Sequence, residues 1–210
     1  DRDEATAQAG RGRCVELLER EVKRGRLSAE DSAAIAARIQ PVADYGALRG
    51  VDAVIEAVFE DRSVKTEATL AALQVVGPDT LFASNTSTLP ISSLAQTHPH
   101  PEQFIGLHFF SPVHRMELVE VILGKQTSTE TLARALDLVQ RIGKVPVVVR
   151  DGRGFFPSRG FETYIREGLA MLAEGVAPAL IDNAGRFTGM PLGPLAVADE
   201  VALDLIVRIH

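Results

Sequence analysis

Apolar positions recur along the chain at two periods, and the switches between them outline the elements. Residues 3–24 are rich in helix formers, and Val15, Leu18 and Val22 fall on one helical face. Ser28 is placed to cap a second helix ending near Ile39, with Asp31 at the capping-box position, one methylene shorter than the usual Glu. Residues 41–43 read as a short strand. Residues 52–58 form a near-continuous apolar strand interrupted by Glu56, and a helix from 61 to 76 follows, ended by Gly77-Pro78. Residues 81–83, 104–109 and 118–123 read as further strands. Thr127 and Glu130 are spaced as a capping box for a helix over 128–142, whose Leu132, Ala135, Leu136, Val139 and Ile142 make one apolar stripe. Gly143 closes it, and residues 145–149 are the last strand.

After Arg150 the pattern changes. Residues 156–174, 178–187 and 194–210 all read as helix. Strands buried on both faces and alternating with helices predict an α/β fold, a mostly parallel, doubly wound sheet, over residues 1–150. Residues 151–210 are expected to begin a helical domain. The chain opens on Asp1 with no Met, and stops inside an apolar pattern of Val201, Leu203, Leu205, Ile206 and Ile209, so it reads as a fragment.

Composition narrows the class. The 210 residues, 46% hydrophobic and 24% charged, can pack a core and are not broadly disordered. The net charge of −6 has the wrong sign for gripping nucleic acid or anionic lipid. A single cysteine, Cys14, excludes an internal disulfide framework and a Cys-rich zinc site. The longest aliphatic runs, such as 147–149, are too short to span a bilayer. A soluble, cytoplasmic protein is expected.

In an open parallel sheet, ligands lie beyond the carboxyl ends of the strands. Those ends carry residues 58–61, the polar run Ser84-Asn85-Thr86-Ser87-Thr88, and His108. His108 and Glu120 are the pair able to do proton chemistry. Imidazole titrates near neutrality, and a carboxylate on one ring nitrogen fixes its tautomer and stabilises the imidazolium. Spacing alone leaves open a core histidine bonded to a backbone carbonyl, with Glu120 on a solvated edge. His98, His100, His108 and His114 lie close together but follow no metal-ligand pattern, and no metal site is expected. Asp1 could be the acid that closes the second strand of a dinucleotide fold, or merely a terminal N-cap. Gly10-Arg-Gly12 falls within a helix, and the chain contains no Gly-x-Gly-x-x-Gly. Lys65, at the start of a helix, reads as a surface lysine.

Several strings together resemble one family. They are Asp52-Ala-Val-Ile-Glu-Ala-Val-Phe-Glu-Asp61, Ser84-Asn-Thr-Ser87, Gly106-Leu-His-Phe-Phe-Ser-Pro-Val113, Leu118-Val-Glu-Val-Ile122, Arg150-Asp-Gly-Arg-Gly-Phe-Phe156 and Gly189-Met-Pro-Leu-Gly-Pro194. In this order, over essentially the whole chain, they resemble 3-hydroxyacyl-CoA dehydrogenase. His114-Arg-Met116 is most similar to the dehydrogenase part of the multifunctional α-subunit of bacterial fatty-acid oxidation complexes. The resemblance implies a Rossmann-like NAD-binding domain whose first strand and glycine loop lie upstream of Asp1, then the start of an all-helical domain. It implies NAD-dependent oxidation of a 3-hydroxyacyl-CoA in β-oxidation, with His108 as base, Glu120 as its carboxylate partner and Ser87 beside the reacting carbon. Asp1, Val58, Phe59, Glu60, Lys65, Ser87 and Ser111 would contact cofactor; Ser87, Ser111 and Ser158 would contact substrate. Implied partners are acyl-CoA, and a second copy or a thiolase β-subunit.

The chain departs from the family at Ser111 and Ser158, where many relatives carry Asn, and at Arg153, where Pro is frequent. Those departures motivate an alternative, a non-catalytic domain that binds acyl-CoA or a partner. A dehydrogenase of small free β-hydroxy acids is disfavoured, because that class relies on a lysine base.

Overall fold

The structure is a computed structural model and describes residues 1–200 of the chain. It divides into two compact units, residues 1–51 with 71–78, and residues 52–70 with 79 onward.

In the first unit, α1 spans Glu4–Lys23 and α2 spans Ala29–Ala37. Asp3 caps α1 by accepting from the Thr6 amide at 2.7 Å and its hydroxyl at 2.9 Å. Glu4 in the first turn and Arg20 and Lys23 in the last complement the helix dipole. Ser28 caps α2 as expected, accepting from Asp31 N at 2.9 Å. The short Asp31 carboxylate accepts from the Ser28 hydroxyl at 2.7 Å. The Arg11 guanidinium joins the two helices, donating to the carbonyls of Ala36 and Ile39. The strand expected at 41–43 does not form. Pro41 has no N–H to give a ladder, and the Val42 carbonyl accepts instead from the Asp1 amine at 2.7 Å.

The second unit is built on a five-stranded sheet in chain order: β1 Ala53–Glu56, β2 Leu81–Ser84, β3 Phe104–Phe109, β4 Leu118–Leu123 and β5 Val145–Arg150. Every neighbouring pair is parallel except β3 and β4, which are antiparallel. The mostly parallel expectation therefore holds, with one reversal. β1 stops two residues short of its predicted end, because the Glu56 carboxylate turns inward and accepts the Val58 amide at 2.7 Å. Helix α3, Arg62–Leu73, follows.

Alternation along the strands divides the sheet into two faces. One carries Leu81, Ala83, Ile105, Leu107, Val119 and Val121, and packs against Ala135 and Val139 of α5, Thr129–Arg141. That helix is capped by Ser128, which accepts from Thr131 N, so the predicted cap is off by one residue. Thr127 is committed elsewhere: its hydroxyl donates to the Phe104 carbonyl and accepts the Gly124 amide. The opposite face carries Phe82, Phe104, Gly106, His108, Glu120 and Ile122. A side chain at Gly106 would place its Cβ 2.8 Å from Ile91 and 2.9 Å from Ile122, so glycine there lets the short helix α4, Ile91–Leu94, lie close over β3. β5 departs from the doubly buried pattern: as an edge strand it leaves Val145, Val147 and Val148 exposed.

Three helices complete the described chain: α6 Pro157–Ala173, α7 Pro178–Phe187 and α8 Pro194–Glu200. A proline opens each one, where its missing N–H and fixed φ are tolerated. Ile165, Val197 and Ala198 form their small core. Asp182 accepts the Leu195 amide at 2.9 Å at the start of α8. The rest of the helix predicted over 194–210 lies outside the described residues.

Candidate active site

β1, β2 and β3 run parallel, so their carboxyl ends share one edge of the sheet. β4 then folds back along β3 and sets Glu120 directly opposite His108 on the same face. Nδ1 of His108 lies 2.7 Å from Oε2 of Glu120. A carboxylate accepts only, so Nδ1 carries the proton. Glu120 is 0% exposed, and its other oxygen accepts the Phe156 amide at 3.0 Å. His108 is 8% exposed, its ring 4.5 Å from that of Phe110 and 6.1 Å from that of Phe155. Nε2 has no hydrogen-bond partner among the described residues. Of the two arrangements that spacing left open, this is the paired one: the imidazole meets a buried carboxylate, and its second nitrogen is available for proton transfer.

A second polar cluster lies at the ends of β1 and β2. Glu60 Oε1 accepts the amides of Ser87 at 3.0 Å and Thr88 at 3.1 Å, together with the hydroxyls of Thr86, Ser87 and Thr88. Burial alone would raise the pKa of Glu60. The Thr86 hydroxyl, the Lys65 ammonium and the Thr88 amide outweigh it, and the pKa falls below its ordinary value. Lys65 is not a surface lysine; it is 1% exposed. Its Nζ lies 3.0 Å from Glu56 Oε1, 3.2 Å from Glu60 Oε2 and 3.3 Å from the Val58 carbonyl. Ser84 donates to Glu56 Oε2 at 2.6 Å. Glu56 went unrecognised in the sequence beyond its interruption of a strand. Its signal was there: a carboxylate inside an apolar run must find donors or a cation when buried, and Lys65 follows nine residues later.

Asn85 joins the two clusters. Its Oδ1 accepts the Phe109 amide at 2.9 Å, and its own amide donates to the Glu56 carbonyl at 2.7 Å. Val58 and Phe59 are exposed just past β1, Phe59 at 70%. Ser111 is exposed on the loop between β3 and β4, and Ser158 is half-buried in the first turn of α6. Neither shares a hydrogen bond with His108 or Ser87. Asp1 is exposed in the first unit, where its carboxylate accepts the Arg2 amide at 2.8 Å.

Of the other described histidines, only His98 is buried. His98 is buried against Phe82 and Phe104, accepts the His100 amide on Nδ1, and has its pKa lowered by burial. His100 lies 3.3 Å from Glu102 at the surface, and His114 is exposed. Among the described residues no helix is long and apolar enough to cross a membrane.

The shared strand edge offers the exposed apolar side chains of Val58 and Phe59, next along the chain to the Glu60 carboxylate that binds Ser87, groups of the kinds that a dinucleotide can use. No glycine-rich turn between a strand and a helix, of the kind that cradles a diphosphate, occurs among the described residues.

Residues 1–152 match the family described as 3-hydroxyacyl-CoA dehydrogenase, NAD binding domain, and residues 154–210 match its C-terminal domain. The chain is 38% identical over 198 residues to the fatty acid oxidation complex subunit alpha of Shewanella amazonensis, covering 94% of this chain and 28% of that protein. It is 39% identical over 193 residues to the Shewanella baltica subunit, covering 92% and 27%. The chain thus spans under a third of the length of these relatives. Among solved structures, (S)-3-hydroxybutyryl-CoA dehydrogenase from Ralstonia eutropha superimposes with a TM-score of 0.96 at 36% identity, over 100% of this chain and 75% of that one. The 3-hydroxybutyryl-CoA dehydrogenase of Escherichia coli K12 gives 0.94 at 34%, over 100% and 45%.

Proposed function

Because the chain belongs to the 3-hydroxyacyl-CoA dehydrogenase family, we propose that it oxidises the 3-hydroxyl of a 3-hydroxyacyl-CoA to the ketone, with His108 as general base. The observation that carries this reading is the 2.7 Å contact between His108 Nδ1 and the buried Glu120 carboxylate. It leaves Nε2 as the proton acceptor.

Oxidation removes a proton from oxygen and a hydride from carbon. Separating the two losses would leave a costly alkoxide or a cationic carbon, so a base must act as the hydride departs. NAD, when bound, supplies the hydride acceptor. His108 takes the hydroxyl proton at Nε2, and Glu120 stabilises the imidazolium that results. In the reverse direction the imidazolium donates to the ketone oxygen.

Val58, Phe59, Glu60 and Ser87 would hold the nicotinamide and ribose, with Ser111 beside them and Asp1 on the adenosine ribose. Lys65 acts through Glu56 and Glu60, which take up its donors. Ser87, Ser111 and Ser158 would meet the thioester and acyl chain. Residues 1–150 serve as the cofactor domain and 151–210 as the start of the substrate domain. The relatives named as complex α-subunits support a protein that works within a complex; the partner we propose is a second copy or a thiolase β-subunit, and the place the cytoplasm.

The test is NADH consumption with acetoacetyl-CoA, measured on the protein at its natural length. His108→Gln is expected to lose about 10²–10⁴-fold in kcat, the usual worth of a positioned base. Unchanged turnover in that variant overturns the assignment of the base. Acyl-CoA binding without NADH consumption by the unaltered protein would support the non-catalytic alternative instead.

A further inference from the structure

The link from β5 to α6 touches the candidate base pair through its backbone. At its start, the Asp151 carboxylate accepts the amides of Ile91 and Ser92, tying the link to α4. Gly154 then takes a φ of +66°, and Phe155 a φ of +46°. The left-handed region is natural for Gly154 and strained for a bulky residue such as Phe155, whose ring is buried near that of His108. The next amide, that of Phe156, donates to Glu120 Oε1 at 3.0 Å. The Phe156 ring is 72% exposed, and α6 begins one residue later.

A fully buried carboxylate is costly unless its oxygens are hydrogen-bonded, and donors on both oxygens fix its orientation. Glu120 has one on each: Nδ1 of His108 on Oε2 and the Phe156 amide on Oε1. Without the second donor, rotation of the carboxylate would cost little and would carry Oε2 away from the imidazole. The strained turn is what presents the amide to the carboxylate.

We infer that the backbone N–H of Phe156 is a positioning group for Glu120, and through it for His108, so that the pair is set for proton transfer only while the first turn of α6 is seated on the sheet. This rests on the dehydrogenase reading above for its catalytic consequence, but not for its structural one.

The experiment replaces the amide of residue 156 by an ester, using the α-hydroxy analogue of phenylalanine. That removes the N–H and keeps the side chain. Phe156→Ala, which keeps the N–H and removes the exposed ring, is its control. Both are read by the Nδ1 proton resonance of His108 in the ligand-free chain and by kcat and KM with acetoacetyl-CoA. The ester is expected to shift the Nδ1 resonance upfield, as the released carboxylate turns Oε2 away from the imidazole and the hydrogen bond weakens. It should lower kcat roughly tenfold, the order expected for a lost hydrogen bond to a charged group, with KM unchanged. Phe156→Ala should move neither. An ester with the parent resonance and kcat, or an alanine variant altered as much as the ester, overturns the inference.

Should the ester chain fail to fold, Glu120→Gln gives an independent reading. The inference requires the Phe156 amide proton to shift upfield in that variant as its charged acceptor is lost; an unmoved proton overturns it. A shifted His108 resonance in the ester, alongside no turnover by the unaltered protein, would leave the positioning role standing and sink the dehydrogenase reading.

Discussion

Lys65 Nζ sits 3.0 Å from Glu56 Oε1, and both side chains are buried. The same ammonium reaches Glu60, whose other oxygen collects the donors of residues 86–88. One cation therefore ties the end of β1 to the loop that carries Ser87. Buried pairs often contribute little net stability, but breaking one strands a charge and costs about 3–5 kcal/mol. Lys65→Met should destabilise the fold by about that much in urea denaturation. Adding Glu56→Gln should recover part of the loss, and strict additivity of the two changes would argue against the pairing.

Glu60 makes stability depend on pH. Its folded pKa lies below the ordinary value of 4.5, which the unfolded chain approximates. Its stabilising contribution is therefore complete above pH 4.5, and is lost as pH falls through the lower folded value. Glu60→Gln should flatten the acid limb of a stability profile between pH 5 and the acid transition. A limb of unchanged slope would mean the carboxylate is not held in solution as it is here.

On the proposed mechanism, Glu120→Gln retains an acceptor but loses the charge that would stabilise the imidazolium. Turnover of acetoacetyl-CoA should fall by about 10²-fold or more with the far-UV spectrum intact. Parent-level turnover would separate Glu120 from the chemistry.

Gly106→Ala pushes a methyl against Ile91 and Ile122. The expected cost is about 1–3 kcal/mol, seen as a lower melting temperature. Ile91→Val in the same chain should return some of it by making room. Equal melting temperatures for the parent and Gly106→Ala would mean α4 does not pack closely over β3.

Much of this was legible in sequence where burial and period agree. β3 and β4 have the boundaries that their apolar runs predict, and α5 carries its stripe against the sheet, although Ile142 at its end is exposed. The pairing of His108 with Glu120 was readable as a possibility, but the antiparallel reversal that decides it is a property of the whole sheet. Legibility failed where side chains override local pattern. Glu56 cut β1 short by bonding the Val58 amide, and Thr127 gave up its capping role to bond β3. Residues 41–43 have strand composition but no ladder partner, and propensity alone does not make a strand. Lys65 looked like a surface residue because its two acids come from a strand and a turn, not from its own helix.

The antiparallel step between β3 and β4 has a kinetic consequence. His108 and Glu120 are twelve residues apart, so the segment that joins them closes a short loop, whereas each parallel pairing must first close a crossover. Their strands can therefore zip while the remainder of the sheet is still open. Pulse-labelled amide exchange during refolding should find the amides between β3 and β4 protected ahead of those between β1 and β2. The His108–Glu120 contact would then be born with the hairpin, and the ends of β1 and β2 would be assembled beside it.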